Sequence, residues 1–180
     1  THSYSSAASD VYKRQGHAGC EAAHASARLG SKTLLITMKI DGIGQMSCNP
    51  AIGGIGKSHL AREVDALDGL MCKAADDASL QSRVLNSSKG AAVRATRIQT
   101  CRDEYKKAMQ KDILNHENLT VLQSTVKSVK FSKNRAEGVV IETGDYIKSK
   151  CVVLTAGTFL DGVIHTVSYT HLTLPTSRSV

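Results

Sequence analysis

Gly16-His17-Ala18-Gly19 is the first place where residue type and spacing point to chemistry. It carries the second and third glycines of a G-x-G-x-x-G pattern at the mouth of an alanine-rich segment, with Arg14 in the first glycine's position. In that pattern one glycine lets the backbone approach a pyrophosphate and the next lets helix and strand touch. The helix N-terminus then offers free N–H donors to the phosphate oxygens. Gly16, His17, Ala18 and Gly19 are therefore candidate cofactor-binding residues. Half a fingerprint also fits an ordinary turn into a helix, so its neighbours must decide. A short apolar run at residues 32–37 stands at the distance of a second Rossmann strand. Met38-Lys39 follows it where an acidic residue would hold a ribose, so ribose recognition must use another group.

Cys48 sits in a glycine-dense loop beside Asn49 and Pro50. It reads either as a small buried hydrophobe, the commonest fate of a free thiol, or as a reactive thiol beside a cofactor, activated if a helix N-terminus or Lys57 lowers its pKa. In the same loop, Ala51-Ile52-Gly53-Gly54-Ile55-Gly56-Lys57-Ser58 nearly fits the P-loop G-x-x-x-x-G-K-[ST], with Ala in the first position. A P-loop follows a buried strand directly, and residues 45–50 make none, which argues against ATP or GTP. The cations are dispersed except for Lys89, Arg94, Arg97, Arg102, Lys106 and Lys107. Such a stretch suits a polyanion, and a solvated basic helix face explains it equally well. His24, His59, His116 and His165 lack metal-ligand spacing and read as surface or capping residues, so no metal is expected. The five cysteines (Cys20, Cys48, Cys72, Cys101, Cys151) form no Cys-x-x-Cys pair, and reduced thiols are expected.

The elements that must position these residues follow from periodicity and punctuation. Residues 17–29 form an alanine-rich helix with Gly30 at its C-terminal end, and 32–37 a buried strand. Residues 41–56 are too rich in glycine for a regular element. Residues 59–70 and 96–115 read as helices, with a glycine-interrupted basic stretch between them. From 119 the period changes to two: 119–122, 126–131, 138–142 and 146–148 read as a small antiparallel meander with turns at Asn134-Arg135 and Gly144-Asp145. Residues 151–155 form another apolar strand that closes on Ala156-Gly157-Thr158. This order gives a Rossmann-like α/β domain, three-layered around a parallel sheet that holds 32–37 and 151–155, with an antiparallel add-on.

With 180 residues there is room for one domain. An apolar fraction of 41% and a charged fraction of 22% exclude the composition of disorder. No apolar run is long enough to span a bilayer and no signal peptide is evident, so a cytoplasmic protein is the simplest reading. The formal charge of +7 favours anionic partners. Residues 1–15 are rich in Ser and Ala and end in Val11-Tyr12-Lys13-Arg14-Gln15, where adjacent cations would be buried unpaired in a parallel strand. Residues 167–180 are dominated by Ser and Thr around Pro175. Both ends read as non-native, unpaired tails flanking a domain at 16–166.

The stretch from Gly16 to Ala23 and that from Gly44 through Cys48-Asn49-Pro50-Ala51-Ile52-Gly53-Gly54 to Lys57 together resemble the MnmG (GidA) family. So do Leu85-Asn86-Ser87-Ser88-Lys89-Gly90, Ala92-Val93-Arg94-Ala95-Thr96-Arg97, and the run from Val153 through Gly157 to Gly162. A related folate-dependent tRNA uridine methyltransferase shares the nucleotide fold but lacks the Cys-Asn-Pro-Ala-Ile-Gly-Gly loop. The resemblance implies an FAD-dependent enzyme that works with the GTPase MnmE to install an aminomethyl-type group at C5 of the tRNA wobble uridine. Methylenetetrahydrofolate would be the carbon donor, glycine or ammonium the nitrogen source and NADH the reductant of the flavin, in a homodimer.

By the same resemblance, the turn from Gly16 to Gly19 binds FAD, Val126 matches an adenine-side contact, and Asn49, Gly53, Gly54 and Gly157 join the cofactor site. The loop around Cys48 faces the flavin, which makes Cys48 the catalytic candidate. Lys89, Arg94 and Arg97 are candidates for holding tRNA or flavin phosphate. Ser58 and Ala91 stand where the family usually has Gly and Pro, while Arg14-Gln15 replace two glycines. The NADH-binding insert, the rest of the FAD domain and the helical C-terminal domain are missing, so the chain reads as a fragment, inactive alone and weak in FAD binding. Another FAD-dependent oxidoreductase would keep the flavin without tRNA. A P-loop protein predicts magnesium-dependent triphosphate binding lost on Lys57→Ala, and an RNA-binding module salt-sensitive tRNA binding without flavin.

Overall fold

The computed structural model describes residues 4–9, 16–46, 49–156, 165–166 and 172–173. In chain order these form β1 (Tyr4–Ser9), α1 (His17–Arg28), β2 (Thr33–Thr37), β3 (Ala51–Gly53), α2 (Lys57–Ala66) and α3 (Leu70–Asp77). Next come β4 (Ser79–Leu85), β5 (Ala95–Thr100), α4 (Arg102–Leu114) and β6 (Leu119–Gln123). The last elements are β7 (Val126–Ser132), β8 (Arg135–Ile141), β9 (Tyr146–Thr155), β10 (His165–Thr166) and β11 (Leu172–Thr173). Strands β6, β2, β1 and β9 lie side by side and parallel, and the sheet continues antiparallel through β8 and β7. Strand β9 belongs to both parts: residues 146–148 pair with β8 and the rest with β1. A separate antiparallel sheet has the order β3-β5-β4.

Strand β2 shows why the domain is layered. All five of its residues are buried, as expected of a parallel strand covered on both faces. Leu35 faces a cluster built from Cys20, Ala23 and Ala27 of α1, Leu70 and Ala74 of α3, and Tyr105, Met109 and Ile113 of α4. Leu34 and Ile36, one residue either side, point the other way and pack against Val139 and Ile141 of β8. Helices, parallel sheet and meander thus form three layers. The alanines of α1 let that helix lie close to the sheet, and Gly30, at φ +83°, ends it in the left-handed conformation.

Several expectations need correction. The unpaired N-terminal tail instead supplies β1, whose Tyr4–Ser9 backbone pairs with β2 on one side and β9 on the other. That strand is charge-free, whereas Lys13 and Arg14, which argued against burial, lie outside the described residues. At the other end Leu172–Thr173 pairs with His165–Thr166, so this tail is not wholly unpaired either. Strand β6 is not part of the meander: it extends the parallel sheet beside β2. Residues 96–100 are strand, not helix, because β-branched Thr96, Ile98 and Thr100 belong to a strand held between β3 and β4. The helix begins only at Arg102. The helix expected over 59–70 breaks at Asp68 (φ 65°) and Gly69, giving α2 and α3. The glycine loop contains the short strand β3, and the basic stretch contains β4. The first meander turn centres on Lys133 and Asn134, both at positive φ, the geometry of a tight hairpin.

Candidate functional site

Register places the ends of the parallel strands together. Ser9 pairs with Thr37 and Thr155, and Thr37 with Gln123, so α1's start, Met38-Lys39, the approach to Val126 and Ala156 share the carboxyl edge of the sheet. Ligands of open α/β sheets bind at this edge. Two bonds stitch it: the Ser124 N–H donates to the Thr37 carbonyl at 2.9 Å, and the Ile40 N–H to Gln123 Oε1 at 3.1 Å. Val126 is partly buried against the meander cluster.

At the start of α1, Gly16 adopts φ 68°, ψ 30°, and no side chain among the described residues caps the helix. The first intrahelical bond runs from the Cys20 N–H to the Gly16 carbonyl, at 2.7 Å. The N–H groups of His17, Ala18 and Gly19 precede it and point out of the helix end, the arrangement that receives an anion. Gly19 is buried, as close helix-to-sheet contact requires.

Behind this turn lies a buried polar cluster that sequence reasoning missed. The His17 and Tyr105 rings are 5.7 Å apart, and His17 Nε2 and the Tyr105 hydroxyl are both buried without a hydrogen-bond partner among the described residues. Burial lowers the His17 pKa against the pull of Glu21, and it raises that of Tyr105. Burial, with Glu21 adding to it, pushes the Cys20 thiol up to about 12, so Cys20 is no nucleophile near neutrality. Glu21 itself caps another helix, accepting the Leu70 and Met71 N–H groups of α3 at 3.0 and 2.6 Å. The one available signal was Gly69, an N-cap with no side chain of its own, which leaves the acceptor to come from elsewhere.

The glycine loop is anchored on α4. An added Cβ at Gly44 would stand 2.6 Å from Met109 Cβ. Gln110 Nε2 donates to the carbonyls of Ile40, Asp41 and Ile43 at 3.3–3.4 Å. Lys106 pairs with Asp41 at 2.6 Å, and the Thr100 hydroxyl donates to Met46 Sδ at 3.2 Å. Cys48 and Gly157 lie outside the described residues, and Asn49 is exposed. Gly53, at φ +101°, ends β3 against Thr96, whose carbonyl oxygen would lie 2.1 Å from a Cβ.

The Gly54 N–H donates to Ser58 Oγ at 3.0 Å, and the Ser58 hydroxyl to the Thr96 carbonyl at 2.5 Å. In a P-loop the amides and this hydroxyl serve phosphate and magnesium. Here the Gly54 amide and the Ser58 hydroxyl are engaged with each other and with Thr96 of β5, and β3 belongs to an antiparallel sheet, so the P-loop reading fails on geometry. Ser58, which stands where the family usually has Gly, is buried and ties the start of α2 to β5.

Of the basic candidates, Lys89 and Arg94 are exposed in one loop, where Arg94 Nε donates to the Lys89 carbonyl at 3.4 Å. Arg97 lies apart from them on β5, partly exposed. Lys106 and Lys107 are engaged by Asp41 and Glu104. His24 and His116 meet edge to face with centroids 5.5 Å apart, and His59 Nε2 contacts the Ala92 carbonyl at 3.1 Å. No helix among the described residues is long and apolar enough to cross a membrane.

A family model described as "Glucose inhibited division protein A" matches residues 15–177. Among solved structures, the chain is similar to Aquifex aeolicus GidA in its form II crystal, with 44% identity and a TM-score of 0.82 over 91% of this chain and 26% of that one. The form I crystal gives the same identity and TM-score. The GidA-related protein of Thermus thermophilus, at 16% identity and TM-score 0.51 over 89% of this chain and 56% of that one, shares the fold. So does pqsL, a probable FAD-dependent monooxygenase from Pseudomonas aeruginosa, at 14% and 0.53 over 83% and 41%. The chain thus spans about a quarter of the length of the Aquifex aeolicus protein. On the family match across residues 15–177, this chain belongs to the glucose inhibited division protein A (GidA) family.

Proposed function

We propose that this chain contributes the diphosphate-binding half of an FAD site in an enzyme that modifies the wobble uridine of tRNA at C5. The observation that carries the reading is the α1 N-terminus: uncapped, opened by a left-handed glycine, closed onto the sheet at Gly19 and set at the carboxyl edge. A diphosphate fits there because three outward amides and the positive helix end meet its charge without a cation being buried. FAD, once bound, supplies the redox capacity. His17 stays neutral and keeps positive charge out of the layer behind the turn. Glu21 ties α1 to α3, so the turn is held by two helices.

Gly16, His17, Ala18 and Gly19 would contact the diphosphate, with Val126 on the adenine side, and the family resemblance adds Gly157. By the family resemblance, Asn49, Gly53 and Gly54 would join the cofactor site and Cys48 would face the flavin. A glycine-rich loop can lie flat against a ring system, which leaves Cys48 and Asn49 as the groups able to address the uridine. Cys48 would act there as nucleophile or proton-transfer group. Lys89, Arg94 and Arg97 would hold phosphate by charge. The family resemblance supports the rest of the reading: methylenetetrahydrofolate and NADH as co-substrates, the GTPase MnmE as partner, a homodimer and a cytoplasmic setting.

The test uses a chimera in which residues 16–156 replace the matching segment of Aquifex aeolicus GidA, with wobble-uridine modification measured by nucleoside mass analysis. Cys48→Ser should cut modification at least 100-fold, on the scale of losing a nucleophile or acid–base group, with flavin content unchanged. Full activity in that variant would return Cys48 to a packing role.

A further inference from the structure

Between Asp77 and Asp103 the sequence holds no acidic residue and five cations: Arg83, Lys89, Arg94, Arg97 and Arg102. Pairing of β4 with β5 sets Arg83 directly opposite Arg97, and Gln81 opposite Gln99 in the next row. Directly opposed residues of an antiparallel pair project from one face, with Cβ atoms about 5 Å apart. Ile98, in register with Ile52 and Ser82, belongs to the other face, where Ile52 packs against the helical core. On β3 and β5 one side of the small sheet therefore meets the core, while the same side of β4 is exposed at Ser82 and Val84; the other side carries two guanidinium groups and two carboxamides. Arg83 is exposed and Arg97 partly so, and neither makes an ion pair among the described residues. Like charges opposed across strands destabilise a sheet. No carboxylate on these strands offsets the cost, so the pair is better matched to an external anion than to the fold.

We propose that Arg83 and Arg97 form a phosphate-binding clamp whose occupant is a backbone phosphate of RNA. Two planar guanidinium groups on one face can each donate to a different oxygen of the same phosphate. Gln81 and Gln99, one row along, supply uncharged donors for neighbouring sugar or phosphate oxygens. The position suits a substrate-facing site. Strand β3 follows the loop that leaves β2 at the carboxyl edge, and α4 then returns the chain to start β6, so the small sheet lies on the side where α1 begins. The choice of RNA rests on the tRNA reading above, whereas the phosphate clamp itself does not.

The experiment measures binding of an unmodified tRNA transcript to the chain across a salt series, for Arg83→Gln, Arg97→Gln and the double variant. FAD titrations and melting curves with and without inorganic pyrophosphate are run in parallel. Each single change should weaken RNA binding about tenfold. The double change should add little, because both groups grip one phosphate, and the log–log salt slope should shrink by about one. Melting temperatures without ligand should hold or rise, since a like-charge pair has been removed, and FAD affinity should not move.

An unchanged RNA affinity and slope in the double variant would overturn the proposal, as would a lower melting temperature showing that the pair serves the fold. A loss of FAD affinity with RNA binding intact would give the phosphate to the flavin and overturn the RNA assignment. If the unaltered chain binds no RNA, a pyrophosphate-induced rise in melting temperature that the double variant lacks would leave the clamp standing and sink the tRNA reading. Without that rise, the clamp falls too.

Discussion

The layer behind α1 and the small β3-β5-β4 sheet are built on opposite terms. Around α1, fully buried Ala23, Ala27, Tyr105, Met109 and Ile113 meet with no charge inside except Glu21, which is spent on the N–H groups of α3. On the outer face of the small sheet two arginines confront each other and no acid lies on the strands. The first arrangement makes sense as structure alone. The second costs stability, so its justification lies outside the fold. The difference separates residues that place a site from residues that use it, even within one short chain.

The largest effects should come from the helical layer. Tyr105→Ala should cost about 3–5 kcal/mol by leaving a large cavity, a substantial share of the ~5–15 kcal/mol that stabilises a domain. Chemical denaturation would read it. Tyr105→Phe sharpens the point: its hydroxyl has no partner among the described residues, so removing it should be neutral or stabilising. A loss above about 1 kcal/mol in Tyr105→Phe would mean that the hydroxyl has found a partner, such as an ordered water shared with His17.

Gly53→Ala comes next, at about 2–3 kcal/mol, because a Cβ would meet the Thr96 carbonyl at positive φ. In contrast to Arg83→Gln, it should damage the small sheet itself, visible as faster amide exchange in β3 and β5. Glu21→Ala should cost about 1–2 kcal/mol, the loss of a helix cap, with the fastest new exchange at the Leu70 and Met71 amides.

Acid should act through His17. Its pKa is lowered in the folded state, so between that value and the ordinary 6.5 the unfolded chain binds more protons. Stability is therefore full above that range and declines as pH falls through it, and His17→Gln should flatten this part of the urea-midpoint profile. His24, also lowered, adds to the same slope. At the alkaline end, Cys20 resists ionisation up to about 12, so stability should decline once pH passes 9.0, its ordinary value, and Cys20→Ala should remove part of that decline. The smallest effect belongs to Asp68, an exposed partner of Arg28 and Lys73. Asp68→Asn should leave the urea midpoint essentially where it is, because solvent screens exposed ion pairs.

What the sequence made legible follows the same division. Strand β2 and α1 were readable because burial on both faces in the one, and alanine content with Gly30 in the other, leave a local signature, and the end of β9 was readable from its apolar run Val152-Val153-Leu154. The turn at Gly16 and the burial of Gly19 were readable because their physics is local to one turn. Strands β4 and β5 were not, since their pattern is mostly polar and β5 is held between β4 and the distant β3. Strand β1 was misjudged because Ser and Ala carry little strand propensity, and what makes Tyr4–Ser9 a strand is the neighbour on each side. Glu21 and the Arg83–Arg97 pair were invisible for a related reason: their meaning depends on partners 49, 50 and 14 residues away, which only the fold supplies.

The central claim is that the start of α1 holds the flavin diphosphate, and flavin occupancy of the Aquifex aeolicus chimera tests it most directly. With residues 16–156 of this chain grafted in, the purified chimera should carry close to one FAD per chain by its visible absorbance. Gly16→Val and Gly19→Val should each empty it, the first by blocking the left-handed turn and the second by prising α1 from the sheet. A folded chimera that purifies without flavin, or one that keeps full flavin with both glycines replaced, would contradict the account.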